Sequence, residues 1–341
     1  MKAVVVTRHG DASVLQPLDL PDPEPKPGEV IVRVKAVAMN HLDVWVREGL
    51  PSLKLELPHI LGSDIAGVVE WSDTPGIERG MECVLSPGVS CGRCRECLTG
   101  RDHFCRSYGI LGEHRSGGYA EKIRVPAANI LPKPSRLSFA EAAAVPLVFL
   151  TAWHMLVSRA EIREGEWVLV HAAGSGVGSA AIQIAKLFNA TVIATARGAA
   201  KLEAARKLGA DHVVDYSTQD FLAEVKRLTG KRGVDVVIEH TGKSTWEKSI
   251  LSLTAGGRLV TCGATTGFDA VTDLRFLFYK KLSLLGSTMG SKGEMFEILR
   301  WVEAGKLSPV IADVLPLARA QDGHRKIENR ENFGKIVFEV A

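Results

Sequence analysis

The chain has few cysteines to spare. Of its six, four crowd into residues 91–105 and only Cys83 and Cys262 lie elsewhere, so no scattered set of half-cystines exists for a disulfide-built secreted scaffold. Long apolar runs are missing as well. No stretch approaches the roughly 20 residues needed to cross a bilayer, and the opening MKAVVVTRHGDASVLQ has no signal-peptide apolar centre. Charge of one sign is also lacking. Forty-two Lys and Arg against 39 Asp and Glu leave only +3, and no basic block is interleaved with the sparse aromatics, so a nucleic-acid surface is not expected. These absences predict a cytoplasmic protein, with no nucleic acid and no membrane as partner.

What is present begins with the cysteine cluster. Cys91, Cys94, Cys97 and Cys105 are spaced C-x2-C-x2-C-x7-C, which matches a closed four-thiolate zinc site with no position left for substrate. Two disulfides within the loop are the alternative reading of the same spacing. Cys83 and Cys262 sit in apolar strand-like runs, MECVLS and RLVTCGA, and are expected to be inert.

A length of 341 residues allows two domains. The first part is dense in short strands, among them EVIVRVKAVAMN, ILGSDIAGVVEW and MECVLSP, and reads as a mostly β unit. Near residue 150 the pattern changes. WVLVH, TVIATA, HVVDY, VDVVIEH and RLVTCGA are strand-like and alternate with helical segments such as SAAIQIAKLFNA, KLEAARKLGA, FLAEVKRLTG and TWEKSILSLTAGG. That alternation predicts a parallel sheet covered on both faces, an α/β, doubly wound Rossmann-type cofactor domain. The tail, with MFEILRWVEAGKL and GKIVFEVA, is too short for a domain and is expected to rejoin the first.

Between the first of these strands and its helix lies Ala172-Ala173-Gly174-Ser175-Gly176-Val177-Gly178. Small residues there let backbone N–H groups reach a pyrophosphate at the positive end of the helix. Ser179 stands where the last glycine of G-x-G-x-x-G would be. An NAD site usually carries an acid at the end of the next strand to bind the ribose hydroxyls. This chain has Ala196-Arg197-Gly198 there, with Lys201 beyond, and an arginine suits a 2′-phosphate. NADPH is therefore expected, with NADH possible.

In this order the cysteine lobe, GSDIAGVVE, LTAW, AAGSGVG, KLGADHVVDY and GGRLVTCGATTG resemble the medium-chain, zinc-containing alcohol dehydrogenase superfamily, which includes the quinone oxidoreductases. The resemblance covers essentially the whole chain. It implies a GroES-like catalytic domain at residues 1–148 with the zinc lobe at about 88–108, a dinucleotide domain at 149–286, and a return at 287–341. It also implies a homodimer or homotetramer paired through the cofactor domain's edge, for which KKLSLLGST is the expected strand. Cofactor contacts are implied at His41, Thr151, Tyr216, Thr241, Gly263, Ala264 and Thr265, besides Gly174, Ser175, Gly176, Val177, Gly178, Ala196, Arg197 and Lys201.

The superfamily's zinc alcohol dehydrogenases hold a second, catalytic zinc. The positions matching its ligands carry Asn40, Ser63 and, by an ungapped count, Leu147; the matching proton-relay hydroxyl is Leu42, and Asp64 replaces a glutamate. Asparagine, serine and leucine do not make a catalytic zinc site. Without a Lewis acid, hydride delivery from NADPH to a quinone or an α,β-unsaturated carbonyl, with hydrogen bonds to the developing oxyanion, is the expected chemistry. Asn40, whose amide both donates and accepts, Ser63 and Asp64 are the expected catalytic residues. Two alternatives stay open: an alcohol dehydrogenase with an atypical site, including a replacement metal site drawn from Asp43, His59, Asp64 and His154, and a non-enzymatic nucleotide-binding protein.

Overall fold

The computed structural model describes residues 1–50 and 53–341. The chain forms two compact units: Met1–Leu147 with Ser291–Ala341, and Val148–Gly290.

The first unit is built on a seven-stranded sheet. Its order is Ile130–Pro132, Glu82–Leu85, Asp64–Ser72, Glu29–Ala38, Lys335–Glu339, Ile311–Pro316, with Lys122–Pro126 also pairing with Glu29–Ala38. The long strand Glu29–Ala38 is the hub. Val30, Val32, Val34 and Val37 are buried on it, and β-branched residues suit such a doubly flanked strand. Two pairings of this hub set the geometry that follows. Ala38 lies opposite Asp64 on one side and opposite Val337 on the other. The second pairing continues in the bond from the Met39 N–H to the Ile336 carbonyl, 2.8 Å, so Lys335 at the start of the C-terminal strand arrives beside Asn40.

Helix His41–Glu48 follows the hub strand directly, and its Arg47 is fully buried. Arg47 donates Nε to the Gly10 carbonyl (3.0 Å) and Nη1 to His324 Nδ1 (3.1 Å), and it pairs with Glu48 and Glu328. Because a guanidinium only donates, Nδ1 of His324 must accept. The His324 Nε2–H then faces the Tyr119 hydroxyl at 3.4 Å. Burial, with the Arg47 charge adding to it, pushes the His324 imidazole down to about 3.

In the second unit the six strands are Trp167–Val170, Thr191–Ala196, His212–Asp215, Val234–Glu239, Leu253–Thr261 and Ser283–Gly286, all parallel. Their spatial order is third, second, first, fourth, fifth, sixth, the doubly wound arrangement with its switch point between the first and fourth. Leu169, Ile193, Val237 and Leu259 form the core of this unit with Phe221 and Val225. One element differs from the sequence expectation. The helix in TWEKSILSLTAGG stops at Leu251, and the next strand begins at Leu253. Leu253 pairs with Val234, then a bulge intervenes before Arg258 pairs with Val236. Gly256, at φ +74, supplies the left-handed turn within that bulge. Among the described residues no helix is long and apolar enough to cross a membrane.

The buried His324 generates a pH test. Its folded-state pKa lies below the unfolded value, so its contribution to stability is present above pH ~6.5 and is lost as pH falls toward the folded value, at about 1.4 kcal/mol per pH unit. We expect urea unfolding between about pH 7 and about pH 4 to show the wild type losing stability faster than His324→Gln by roughly that slope. Parallel curves would remove His324 as the source.

Candidate active site and metal lobe

Three strand ends converge on one buried polar cluster in the first unit. Asn40 follows the hub strand by two residues and caps the helix His41–Glu48, Asp64 opens the neighbouring strand, and Lys335 opens the C-terminal strand. Gly62, at φ +96, turns the chain into Ser63 and Asp64, and a Cβ there would come within 2.6 Å of the Tyr119 ring. All three side chains are at most 5% exposed. Lys335 Nζ donates to Asn40 Oδ1 at 2.5 Å and to Asp64 Oδ2 at 2.8 Å; Asn40 Nδ2 donates to the same Asp64 oxygen at 2.9 Å. The other Asp64 oxygen accepts the Leu147 backbone N–H at 2.6 Å.

Every neighbour of Asp64 in this cluster is therefore a donor. Leu147, on which the third ligand position of the superfamily's catalytic zinc falls by an ungapped count, has a side chain with no donor atom for a metal. The residues do not fit a catalytic zinc. Asp43 supports the cluster from beneath, its carboxylate accepting the backbone N–H groups of Asn40 (2.7 Å) and Gly62 (2.9 Å). Burial raises the Asp43 carboxyl to about 6, against the opposing pull of those two N–H groups and of Lys335. Ser63 Oγ is wholly buried and has no hydrogen-bond partner among the described residues.

His41 is the first residue of the helix after Asn40, edge-on to Trp45 at 5.1 Å. Of the replacement metal set of Asp43, His59, Asp64 and His154, the three residues of the first unit form no group, among the described residues, close enough to share an ion. Asp43 and Asp64 are held as described, and His59 Nε2 lies 3.1 Å from the Gly112 carbonyl. Among the described residues the cysteine quartet is the one group of metal-binding side chains close enough to share an ion. Lys335 was missed in the sequence. Its one signal was a lone lysine opening an otherwise apolar strand, GKIVFEV.

The quartet lies in a lobe of the same unit. All four sulfurs are within 4.8 Å of one another, with Cys94–Cys97 at 3.5 Å and Cys91–Cys97 at 3.9 Å. Sulfurs about 2.3 Å from one tetrahedral ion stand about 3.8 Å apart, so the geometry fits zinc and could hold it. All six cysteines are free thiols, and the disulfide alternative is not what the structure contains. Backbone N–H groups of Arg93 and Cys94 draw the Cys91 thiol down to about 6. Asp102 fastens the lobe to the helix Lys292–Glu303 by accepting the Lys292 backbone N–H (3.0 Å) and its ammonium (3.2 Å).

In the second unit the glycine loop joins Trp167–Val170 to the helix Gly176–Leu187. Ala172 sits at φ +46, a left-handed position rare without glycine. Ser175 caps the helix, accepting from the Gly178 N–H at 2.9 Å, while the N–H groups of Gly176 and Val177 have no partner within the helix's own ladder. At Gly178 a Cβ would stand 2.4 Å from the Ala172 carbonyl, so this glycine provides the close helix–strand packing. Ser179 is tolerated because its hydroxyl donates to the Gly176 carbonyl at 3.0 Å.

Behind the loop lies a polar network that sequence reading also missed. Glu239 is fully buried and accepts from the Thr241 and Gly242 N–H groups (2.7 and 3.1 Å), Thr245 Oγ1 (2.9 Å) and Ser249 Oγ (2.8 Å). His171 bridges Ser249 (2.9 Å) and Thr195 (3.2 Å). These bonds shape the turn carrying Thr241. Gly242, at φ +91, would bring a Cβ within 2.6 Å of the Gly267 carbonyl, so this turn packs against the loop carrying Gly263, Ala264 and Thr265. At the end of the second strand Ala196 is buried, Arg197 is exposed, and Tyr216 beyond the third strand is 45% exposed. The nearby Asp215 carboxylate accepts from the Gly198 N–H (3.1 Å) and from Ser217 (2.6 Å).

Comparison with known proteins fits both units. Residues 176–304 match the family model described as zinc-binding dehydrogenase, and residues 26–135 that of the alcohol dehydrogenase GroES-like domain. An NAD-dependent alcohol dehydrogenase of Saccharolobus solfataricus is 33% identical over all of this chain and 99% of its own. A crotonyl-CoA reductase of Streptomyces avermitilis is 32% identical, covering 91% of this chain and 79% of its own. The crystal structure of an NAD-dependent alcohol dehydrogenase superposes with a TM-score of 0.97 at 54% identity, covering both chains in full. The chain thus belongs to the medium-chain, zinc-type alcohol dehydrogenase family of oxidoreductases.

Proposed function

We propose that the protein transfers hydride from NADPH to a quinone or an α,β-unsaturated carbonyl without a catalytic metal, and that its four cysteines hold one structural zinc per chain. The observation carrying this reading is the ring of donors around Asp64: Lys335, Asn40 and the Leu147 N–H leave it no role as a metal ligand. The cofactor supplies the hydride. The chain's residues orient the acceptor and hydrogen-bond the oxygen on which charge develops, through the remaining N–H of the Asn40 amide and the unpartnered Ser63 hydroxyl. Gly174–Gly178 would receive the pyrophosphate, and the turns carrying Thr241 and Gly263–Thr265, with Thr151, would line the nicotinamide side.

We expect metal-replete protein to carry about one zinc per chain, set by the four-thiolate site, and to oxidise NADPH with quinones or enones. About two zincs per chain together with alcohol-dependent reduction of NAD would overturn the reading. The second reading, an NAD-dependent alcohol dehydrogenase, is favoured by the names of two similar proteins, so alcohols and NAD belong in the same assay.

The preference for NADPH rests on Arg197 and Lys201 standing where an acid would bind ribose hydroxyls, and on Asp215 being engaged with Gly198 and Ser217. Loss of one charge-assisted contact costs about 1.5–3 kcal/mol. Arg197→Ala is therefore expected to raise the KM for NADPH roughly 10- to 100-fold and to leave that for NADH nearly unchanged. An equal effect on both cofactors would remove the 2′-phosphate assignment.

Pairing into a homodimer, or a tetramer of such dimers, is proposed through the sheet edge Ser283–Gly286, whose outer side carries no further strand among the described residues. Close by in sequence Phe268, Val271, Leu274, Phe278 and Tyr279 are 63–93% exposed, an apolar patch that a second copy would cover. Sedimentation of Val271→Asp/Phe278→Glu should show monomer where the wild type shows dimer or larger. A wild type that sediments as a monomer would end this proposal.

A further inference from the structure

We propose that Lys335 is a positioning residue of the reaction, acting through Asn40: its buried ammonium fixes the Asn40 amide so that the unspent N–H is presented to the acceptor's oxygen. The proposal rests on the metal-free reading above and names the group that supplies the fixed positive charge there.

The orientation of an asparagine amide follows from its partners. Lys335 can only donate and ionised Asp64 can only accept, so oxygen must face the ammonium and nitrogen the carboxylate. A flipped amide would set NH2 against NH3⁺ and C=O against a carboxylate at 2.5 and 2.9 Å, two repulsive contacts in a buried site. One hydrogen of the Asn40 NH2 is spent on Asp64, leaving one. The ammonium on the amide oxygen draws electron density from the nitrogen through the conjugated amide, which strengthens the remaining N–H as a donor. Asn40 itself cannot turn away, because its backbone N–H is held by Asp43 and its peptide opens the helix at His41.

Bound NADPH would supply the hydride and be oxidised, so the acceptor would gain the electron pair and carry negative charge on its oxygen until a proton arrived from water. A rigid N–H polarised by a buried cation is complementary to that charge and costs no reorganisation when it forms. Lys335 is 4% exposed and enters no bond-breaking step.

The test measures kcat, KM and NADPH dissociation constants for Lys335→Met, Asn40→Ala, Lys335→Met/Asn40→Ala and Lys335→Arg. Lys335→Met is expected to lower kcat roughly 10- to 100-fold while cofactor affinity stays within about 3-fold. Asn40→Ala should lower it comparably, the double variant should be no worse than Asn40→Ala, and Lys335→Arg should recover part of the loss. Since Lys335→Met leaves Asp64 unpaired and can impair folding, Lys335→Met/Asp64→Asn removes both charges and should show the same loss of kcat in folded protein.

Additive losses, a kcat within about 2-fold of wild type, or a defect confined to NADPH affinity would overturn the proposal. If the wild type turns over alcohols with NAD but neither quinones nor enones, the functional reading fails, and the Lys335 proposal is judged on the same kcat ratios with alcohol. A protein that turns over none of these substrates overturns both.

Discussion

A carboxylate sealed from water must be answered by donors, and the first unit is arranged around that demand at Asp64. Its partners come from three places far apart in the chain: the end of the hub strand, the segment before residue 148, and the start of the C-terminal strand. Breaking a buried pair by removing one partner costs about 3–5 kcal/mol, far more than the net worth of keeping both. The pair therefore acts as a register device. A one-residue slip of Lys335–Glu339 against Glu29–Ala38 would turn Lys335 to the other face of the sheet and strand both charges.

The second unit meets the same demand differently. Glu239 is as deeply buried as Asp64, but four neutral donors surround it, and the nearest candidate cation, His171, stands off at 3.8 Å. Two of those donors are backbone N–H groups of the turn that follows its strand. The carboxylate thereby fixes the path of Thr241 and Gly242 and, through close packing at Gly242, the loop of Gly263–Thr265. In the first unit a buried acid orders side chains; in the second it orders backbone, which suits a unit expected to bind its ligand largely through main-chain groups.

Much of this architecture was legible because it rests on local chemistry. Strand-helix alternation, the small residues of Ala172–Gly178 and the cysteine spacing each encode their outcome within a few residues of sequence. Asn40, Ser63 and Leu147 read in the sequence as residues that do not make a catalytic zinc site. The cation beside Asp64 was not legible, because Lys335 lies almost three hundred residues from Asn40 and meets it only through strand register. His171 and Glu239 were hidden for a related reason: each ends an apolar parallel strand and reads as a solvated terminus until the sheet brings them together. The boundary near Leu253 was missed because a bulge with two adjacent glycines looks like a helix end followed by a turn.

The two anionic centres of the first unit show why one suits a metal and the other an ammonium. The cysteine lobe has little apolar core: Leu98 and Phe104 are exposed, and Cys105 alone of the four cysteines is buried. A cross-link holding several thiolates at once would add to the Asp102–Lys292 contact in fixing the shape of such a loop, and zinc is suited to that. Asp64 sits instead in a packed sheet whose shape is already set, so a single covalently tethered cation suffices to balance it. The consequences for chemistry differ. A zinc with an open position takes an alkoxide into its coordination sphere, whereas a saturated ammonium passes its charge on only through the groups it touches. On the proposed reading this limits the site to acceptors already electron-poor enough to take hydride with the help of a hydrogen bond.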